Sequence, residues 1–186
     1  DQDPRKNILV DKYMVRKHIA KILGEEFLIP IIIIDGNDRF YNAYDIDFNK
    51  LPKSFVLKCN HGSHMNVVVK DKSTLSLKDI RRIKNQLNKW LKIEYAYYVS
   101  LETQYLNIEH CIYIEEYLDF GEKPRDYKFL CFHGKCQYFW VNENVLKNDK
   151  ETCTTFNNDL SIAPFNMNLG FRKNISKEFN KEVINY

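Results

Sequence analysis

The 186 residues suffice for one ordinary domain or two small lobes with a sizeable core. Hydrophobic residues at 44% and charged residues at 28% place the chain in the globular range and exclude an intrinsically disordered one. The net charge of +3 comes from Lys and Arg scattered along the chain, which argues against a nucleic-acid partner and suits a phosphate ligand.

The five cysteines, Cys59, Cys111, Cys131, Cys136 and Cys153, are odd in number and lack CxxC spacing. They predict neither a disulfide framework nor a zinc site. The first four lie in or beside apolar runs and are expected to be reduced, buried small residues, which points to the cytoplasm. The longest apolar run, 28–34, is too short to span a bilayer and is broken by Pro30. No signal peptide is recognisable.

Taken in chain order, Asp11 is a candidate N-cap for a helix over 12–23, with Val15, Ile19, Ile22 and Leu23 on one face and Gly24 as its stop. Residues 27–34 read as a buried strand ended by the turn Asp35-Gly36-Asn37-Asp38. Residues 38–53 are polar and aromatic, without a regular period. Two strands, 55–59 and 66–70, flank the loop Asn60-His61-Gly62-Ser63-His64 and form a hairpin. Ser76 with Asp79 opens a helix as a capping box, and Leu77, Ile80, Ile83, Leu87, Trp90 and Leu91 form its apolar stripe. Three further strands follow at 110–118, 127–132 and 135–141, the last two joined by the two-residue turn His133-Gly134. Beyond Asn142 the pattern fades; 161–174 read as irregular and 176–184 as a helix start. The succession predicts an α+β fold with mostly antiparallel sheets.

Four features bear on chemistry. Lys58 interrupts an apolar strand on the same face as Val56, and a lysine drawn toward an interior needs a partner, for which an anionic phosphate is suited. The loop Asn60–His64 combines a glycine, whose backbone lets an anion approach, with the Ser63 hydroxyl, and it can serve as a flap. It is neither a Walker A loop nor a Rossmann fingerprint. Glu115 and Glu116 are adjacent on a strand, so one of them points inward. Asp126 and Lys128 share a face of the next strand, as a salt bridge or as ligand contacts. A zinc site at Cys59, His61 and His64, or a Cys59–His61 nucleophile, lacks the further groups either needs.

The stretches Asp11-Lys12-Tyr13-Met14-Val15-Arg16, Leu51 through Ser63, Ile114-Glu115-Glu116-Tyr117-Leu118 and Asp126-Tyr127-Lys128-Phe129 with His133-Gly134-Lys135 together resemble the TupA-like ATP-grasp proteins. The stretch from Lys58 to Ser63 is the most specific. The resemblance implies an α+β, ATP-grasp-like fold of two small lobes with the nucleotide between them: 1–110 with the flap hairpin and helix, and 111–186, incomplete at its C-terminus. It implies ATP with Mg2+ as cofactors. Lys12 and Lys58 would face the phosphates, His61, Gly62 and Ser63 would form the flap, and Tyr117 and Leu118 would offer backbone groups to adenine. Glu115 or Glu116 would serve the hinge and ribose, Asp126 ribose, and Lys128 a phosphate; Lys58 and Lys128 would carry the catalytic role. The implied activity is a carboxylate–amine ligase working through an acyl phosphate to an amide. It would act in bacterial cell-envelope or capsular polysaccharide biosynthesis, on a carboxylate-bearing sugar or glutamyl acceptor and an amine.

Family members continue past the point where this chain stops and carry late Asp and Glu residues for magnesium. Glu143, Asp149, Glu151 and Asp159 lie in polar, loop-like sequence and are not assigned as ligands, so the metal site is unknown. The chain is therefore expected to be a fragment or a degenerate member. Two other functions fit the same features: a nucleotide- or sugar-binding ATP-grasp-like module without catalysis, and a glycosyltransferase using nucleotide sugars. For the latter only Asp45-Ile46-Asp47 matches DxD, in a short polar segment where chance explains it.

Overall fold

The computed structural model describes residues 3–98, 101–119, 121, 125–143 and 152–165. The predicted helix over 176–184 and the acidic residues Asp149 and Glu151 lie outside these. The chain divides into two compact units, Asp1–Leu118 and Asp119–Tyr186.

In the first unit α1 (Pro4–Val10) and α2 (Val15–Leu23) are separated by a turn. Only the second of them had a signal in the sequence. Asp11 caps the turn and not the helix proper: its Oδ1 accepts from the backbone N–H groups of Tyr13 at 2.9 Å and Met14 at 3.0 Å. The apolar face expected to bury α2 is largely open, with Ile22 and Leu23 exposed. The run 27–34 is not a strand. It lies along residues 112–116 through single bridges such as Ile31 to Glu115. Pro30, which has no N–H to donate, and the turn at Asp35-Gly36 break any longer ladder.

The hairpin forms as the sequence predicts. β1 (Phe55–Cys59) pairs antiparallel with β2 (Asn66–Val69) and, on its other side, with β3 (Ile112–Glu116), giving the order β2-β1-β3. Because β3 is hydrogen-bonded into this sheet, it belongs to the first unit, which runs to Leu118. Phe55, Leu57 and Cys59 point to the main core with Ile112 and Ile114, while Val56 and Lys58 occupy the opposite, half-covered face. The apparently irregular 38–53 stretch supplies Ala43, Ile46, Phe48 and Leu51 to the same core through short 3-10 turns. α3 (Leu77–Trp90) covers it, opened by the expected Ser76–Asp79 capping box. Leu87 is fully buried, and Ile80, Ile83, Trp90 and Leu91 pack at the rim. Leu77, at the first position of α3 and in the predicted stripe, is exposed.

The second unit is an antiparallel sheet of β4 (Arg125–Phe132), β5 (Lys135–Glu143) and β6 (Thr152–Asn157). The β4–β5 turn places His133 at φ 52° and Gly134 at φ 77°, the pair of left-handed residues a two-residue hairpin requires. Phe139, Val141 and Phe156 form its core. β6 lies beyond Asn142, where the sequence shows no regular pattern. Cys59, Cys111 and Cys153 are buried, whereas Cys131 is exposed and Cys136 half-buried, because these two face each other across β4 and β5 near the hairpin end. The fold is thus α+β with two small, wholly antiparallel sheets. No helix among the described residues is long and apolar enough to cross a membrane.

Candidate functional site

The half-covered face of the first sheet carries the charged centre. Glu115 stands opposite Val56 in the β1–β3 register and is 4% exposed. Two cations converge on it: Arg16 from α2, its Nη1 2.8 Å from Glu115 Oε1, and Lys58 from β1, bonded to Oε2. Arg16 also donates to the backbone carbonyl of Ile29. Of the two adjacent glutamates it is therefore Glu115 that points inward, and Glu116 is exposed. A carboxylate this buried must be paired, and here both its oxygens are. Tyr13, Cys111 and Tyr113 pack as a small apolar cluster on this side, with Tyr13 and Tyr113 ring centroids 6.0 Å apart.

Lys12 belongs to the same centre. Asn60 fixes its backbone: the Lys12 N–H donates to the Asn60 carbonyl at 3.1 Å. The Asn60 side chain is fully used, donating to Asp11 Oδ2 at 3.0 Å and the Glu109 carbonyl at 2.9 Å, and accepting from the Cys111 N–H at 2.8 Å. The Lys12 ammonium donates to the Gly62 carbonyl and sits 5.7 Å from the centroid of Tyr105. Burial first, and then the charge of Lys58, lowers its pKa. Two neighbouring ammonium groups, one of them with no carboxylate ion pair among the described residues, form a place that gains from an arriving anion.

The loop between β1 and β2 is less free than the sequence suggests. His61 is fully buried and stacks on His110 with ring centroids 3.6 Å apart and planes at 11°. His61 Nε2 lies 3.0 Å from the Trp90 carbonyl and His110 Nδ1 2.8 Å from that of Leu91. The two rings thereby meet carbonyls at the C-terminal end of α3, that of Trp90 also accepting the Ile93 N–H at 3.0 Å. Burial and the neighbouring His110 lower the His61 pKa to about 4, so the ring is neutral near pH 7 and brings no charge to a phosphate. Gly62 is buried too; a Cβ there would stand 2.7 Å from Met65 Sδ and from the Tyr95 ring. Of this loop only Ser63 and His64 are exposed.

Tyr117 is half-buried and Leu118 39% exposed just beyond β3. In the second unit Asp126 and Lys128 do share a face of β4 and pair at 3.4 Å, both about half exposed, with Lys128 5.9 Å from the Trp140 centroid. Glu143 pairs with Arg125 at 2.9 Å, and Asp159 caps its own turn through Ser161. Among the described residues no three His, Cys, Asp or Glu side chains gather as a metal site. The structure thus brings Lys12, Lys58, Gly62 and Glu115 together. It adds Arg16, for which the sequence suggests no role, and turns Asp11, an expected N-cap, and Asn60, an expected flap residue, into the supports of Lys12. The spacing of Lys12 and Arg16, one helical turn apart, was the available signal.

The first unit is, in class, an α+β domain with a cluster of cations on one sheet face around a buried glutamate. The family model for TupA-like ATP-grasp proteins matches residues 1–165, and the chain belongs to that family. No curated protein and no solved structure matches it.

Proposed function

We propose that this chain binds ATP and serves an ATP-dependent carboxylate–amine ligase of cell-envelope or capsular polysaccharide synthesis. The observation that carries the reading is the juxtaposition of Lys12 and Lys58, with Lys12 acidified by burial and by its neighbour's charge. In this reading the two ammonium groups hold phosphate oxygens, with Ser63 adding its hydroxyl and Gly62 its close backbone. Glu115 is committed to Arg16 and Lys58 and acts as the post that positions Lys58. Glu116, exposed on the same strand, is then the carboxylate for ribose hydroxyls, and the backbone at Tyr117 and Leu118 meets the adenine edge. Lys128 adds a phosphate contact and Asp126 a ribose contact on β4. ATP supplies the phosphoryl group that activates a carboxylate for attack by an amine. Magnesium fits as an ion brought in with the phosphates, which bind it readily beside one or two carboxylates. A location in the bacterial cytoplasm, where ATP is held, accords with five free cysteines.

A thermal-shift titration with Mg-ATP, Mg-ADP and UDP-sugars tests the reading, with Lys58→Ala as the control. Glu115 keeps Arg16 as partner in that variant, so the sheet is expected to survive. Stabilisation by adenine nucleotides that disappears in Lys58→Ala supports the reading. Stabilisation by UDP-sugars alone overturns it in favour of a nucleotide-sugar enzyme.

A further inference from the structure

The β4–β5 hairpin carries a pair of cysteines that the cation centre does not use. Its turn is His133-Gly134, so Phe132 and Lys135 close the hairpin, and Cys131 and Cys136 are the next partners out. Pairs alternate along an antiparallel ladder, and the one beside the closing hydrogen-bonded pair is of the non-hydrogen-bonded kind. In such pairs the Cα atoms stand about 4.5 Å apart, inside the roughly 4.4–6.8 Å that a disulfide bridges. The register shifts just beyond, where Leu130 meets Tyr138 and Gln137 is left unpaired as a bulge. The Cys136 thiol donates to the Tyr138 carbonyl at 3.4 Å.

The five thiols are not equivalent. Cys59, Cys111 and Cys153 are buried, and burial pushes the pKa of the first two up to about 12, which leaves them poor nucleophiles. Cys131 is exposed and Cys136 half-buried. Burial, and then the adjacent Cys131 thiol, raises the Cys136 pKa. Cys131 is therefore the thiol that a reagent meets first, with Cys136 held opposite it to complete a second step. A bridge closing so short a loop adds little constraint to the unfolded chain, and exposed bridges are the readily reduced ones. The pair is thus suited to exchange and not to a permanent staple. We propose that Cys131 and Cys136 form a dithiol–disulfide exchange site that reacts with low-molecular-weight disulfides such as oxidised glutathione. The Cys131 thiolate attacks one sulfur of the small disulfide; that S–S bond breaks, and one glutathione leaves as a thiolate that takes up a proton. Cys136, giving up its own proton, then attacks Cys131 Sγ and expels the second glutathione. The hairpin loses two protons and two electrons, and the small disulfide is reduced to two thiols. Transient bridges of this kind are compatible with a reducing compartment. The site lies wholly in the second unit and stands whether or not the chain binds ATP.

The test treats the folded chain with oxidised glutathione, blocks the remaining thiols with iodoacetamide and reads the tryptic peptides by mass spectrometry. Trypsin cuts after Lys128, Lys135 and Lys147, so the bridge joins peptides 129–135 and 136–147. This linked pair should dominate, vanish on treatment with dithiothreitol, and form without a disulfide-linked dimer on a non-reducing gel. Cys136→Ser should accumulate a glutathione mixed disulfide at Cys131 that the wild type clears. Cys131→Ser should react with oxidised glutathione at least about tenfold more slowly than Cys136→Ser, since its remaining thiol is the less accessible one. Unlinked peptides with both cysteines alkylated, a mixed disulfide that persists at Cys131 in the wild type, or a bridge between two chains overturns the proposal. The wild-type measurement decides even if a serine variant does not fold.

Discussion

Glu115 is the residue on which the site turns. It is bonded to two cations from different elements while almost excluded from water. Removing it in Glu115→Ala leaves Arg16 and Lys58 facing each other without a counter-charge, and stability should fall by about 3 kcal/mol. That is the low end for a broken buried pair, because Lys58 keeps some access to water. A lower urea midpoint with an unchanged slope is the expected record. His61 makes a second prediction at this scale. Its pKa is lowered to about 4 in the folded chain by burial and by His110, against an ordinary value of 6.5. The unfolded chain therefore takes up the proton first, and stability is full above about pH 6.5 and declines as pH falls toward 4, by about 1 kcal/mol per pH unit. In His61→Phe this portion of the acid slope should flatten; an unaltered slope in urea melts between pH 7 and 4.5 would contradict the account. Strand alternation alone told that one of Glu115 and Glu116 faces inward, and that Lys58 needs a partner. That each answers the other needed the register of two strands 57 residues apart, which no local pattern encodes.

Elements with a strong local signal formed where the sequence placed them. The β1–β2 hairpin and α3 are such cases: alternation and a capping box are local physics, decided within a few residues. Ser76→Ala removes the side-chain acceptor for the Asp79 N–H and one arm of the box, and should cost about 1 kcal/mol, seen as a modest drop in melting temperature. Where tertiary contacts decide, local reading failed. The run 27–34 has the hydrophobicity of a strand but is interrupted by Pro30, and Ile33 ends 64% exposed. β6 was missed because Thr-Cys-Thr-Thr-Phe-Asn carries little apolar alternation, yet Thr154, Thr155 and Phe156 are buried by pairing with β5. The hydrophilic look of Asn60 and His61 suggested a solvated tip. Both are buried because each polar atom that matters meets a backbone group, and polarity that is fully paired is compatible with the interior.

At the scale of the whole chain, two small antiparallel units and the family match over residues 1–165 agree with the α+β, ATP-grasp-like reading that the motifs suggested. Lys58 is legible as a phosphate-facing candidate because lysines in apolar surroundings are rare, and Lys12 only through the family resemblance. The carboxylate, the arginine and the asparagine that hold them in place were not, since their roles depend on contacts between distant segments. The central claim is that this cation pair binds the phosphates of ATP. The most direct test is the thermal shift of the chain with Mg-ATP, wild type against Lys58→Ala. At a nucleotide concentration about 100 times the dissociation constant, the wild type should gain roughly 2.7 kcal/mol, and Lys58→Ala should gain almost none while melting cooperatively. An equal gain in both proteins, or none in a folded wild type, would contradict the account.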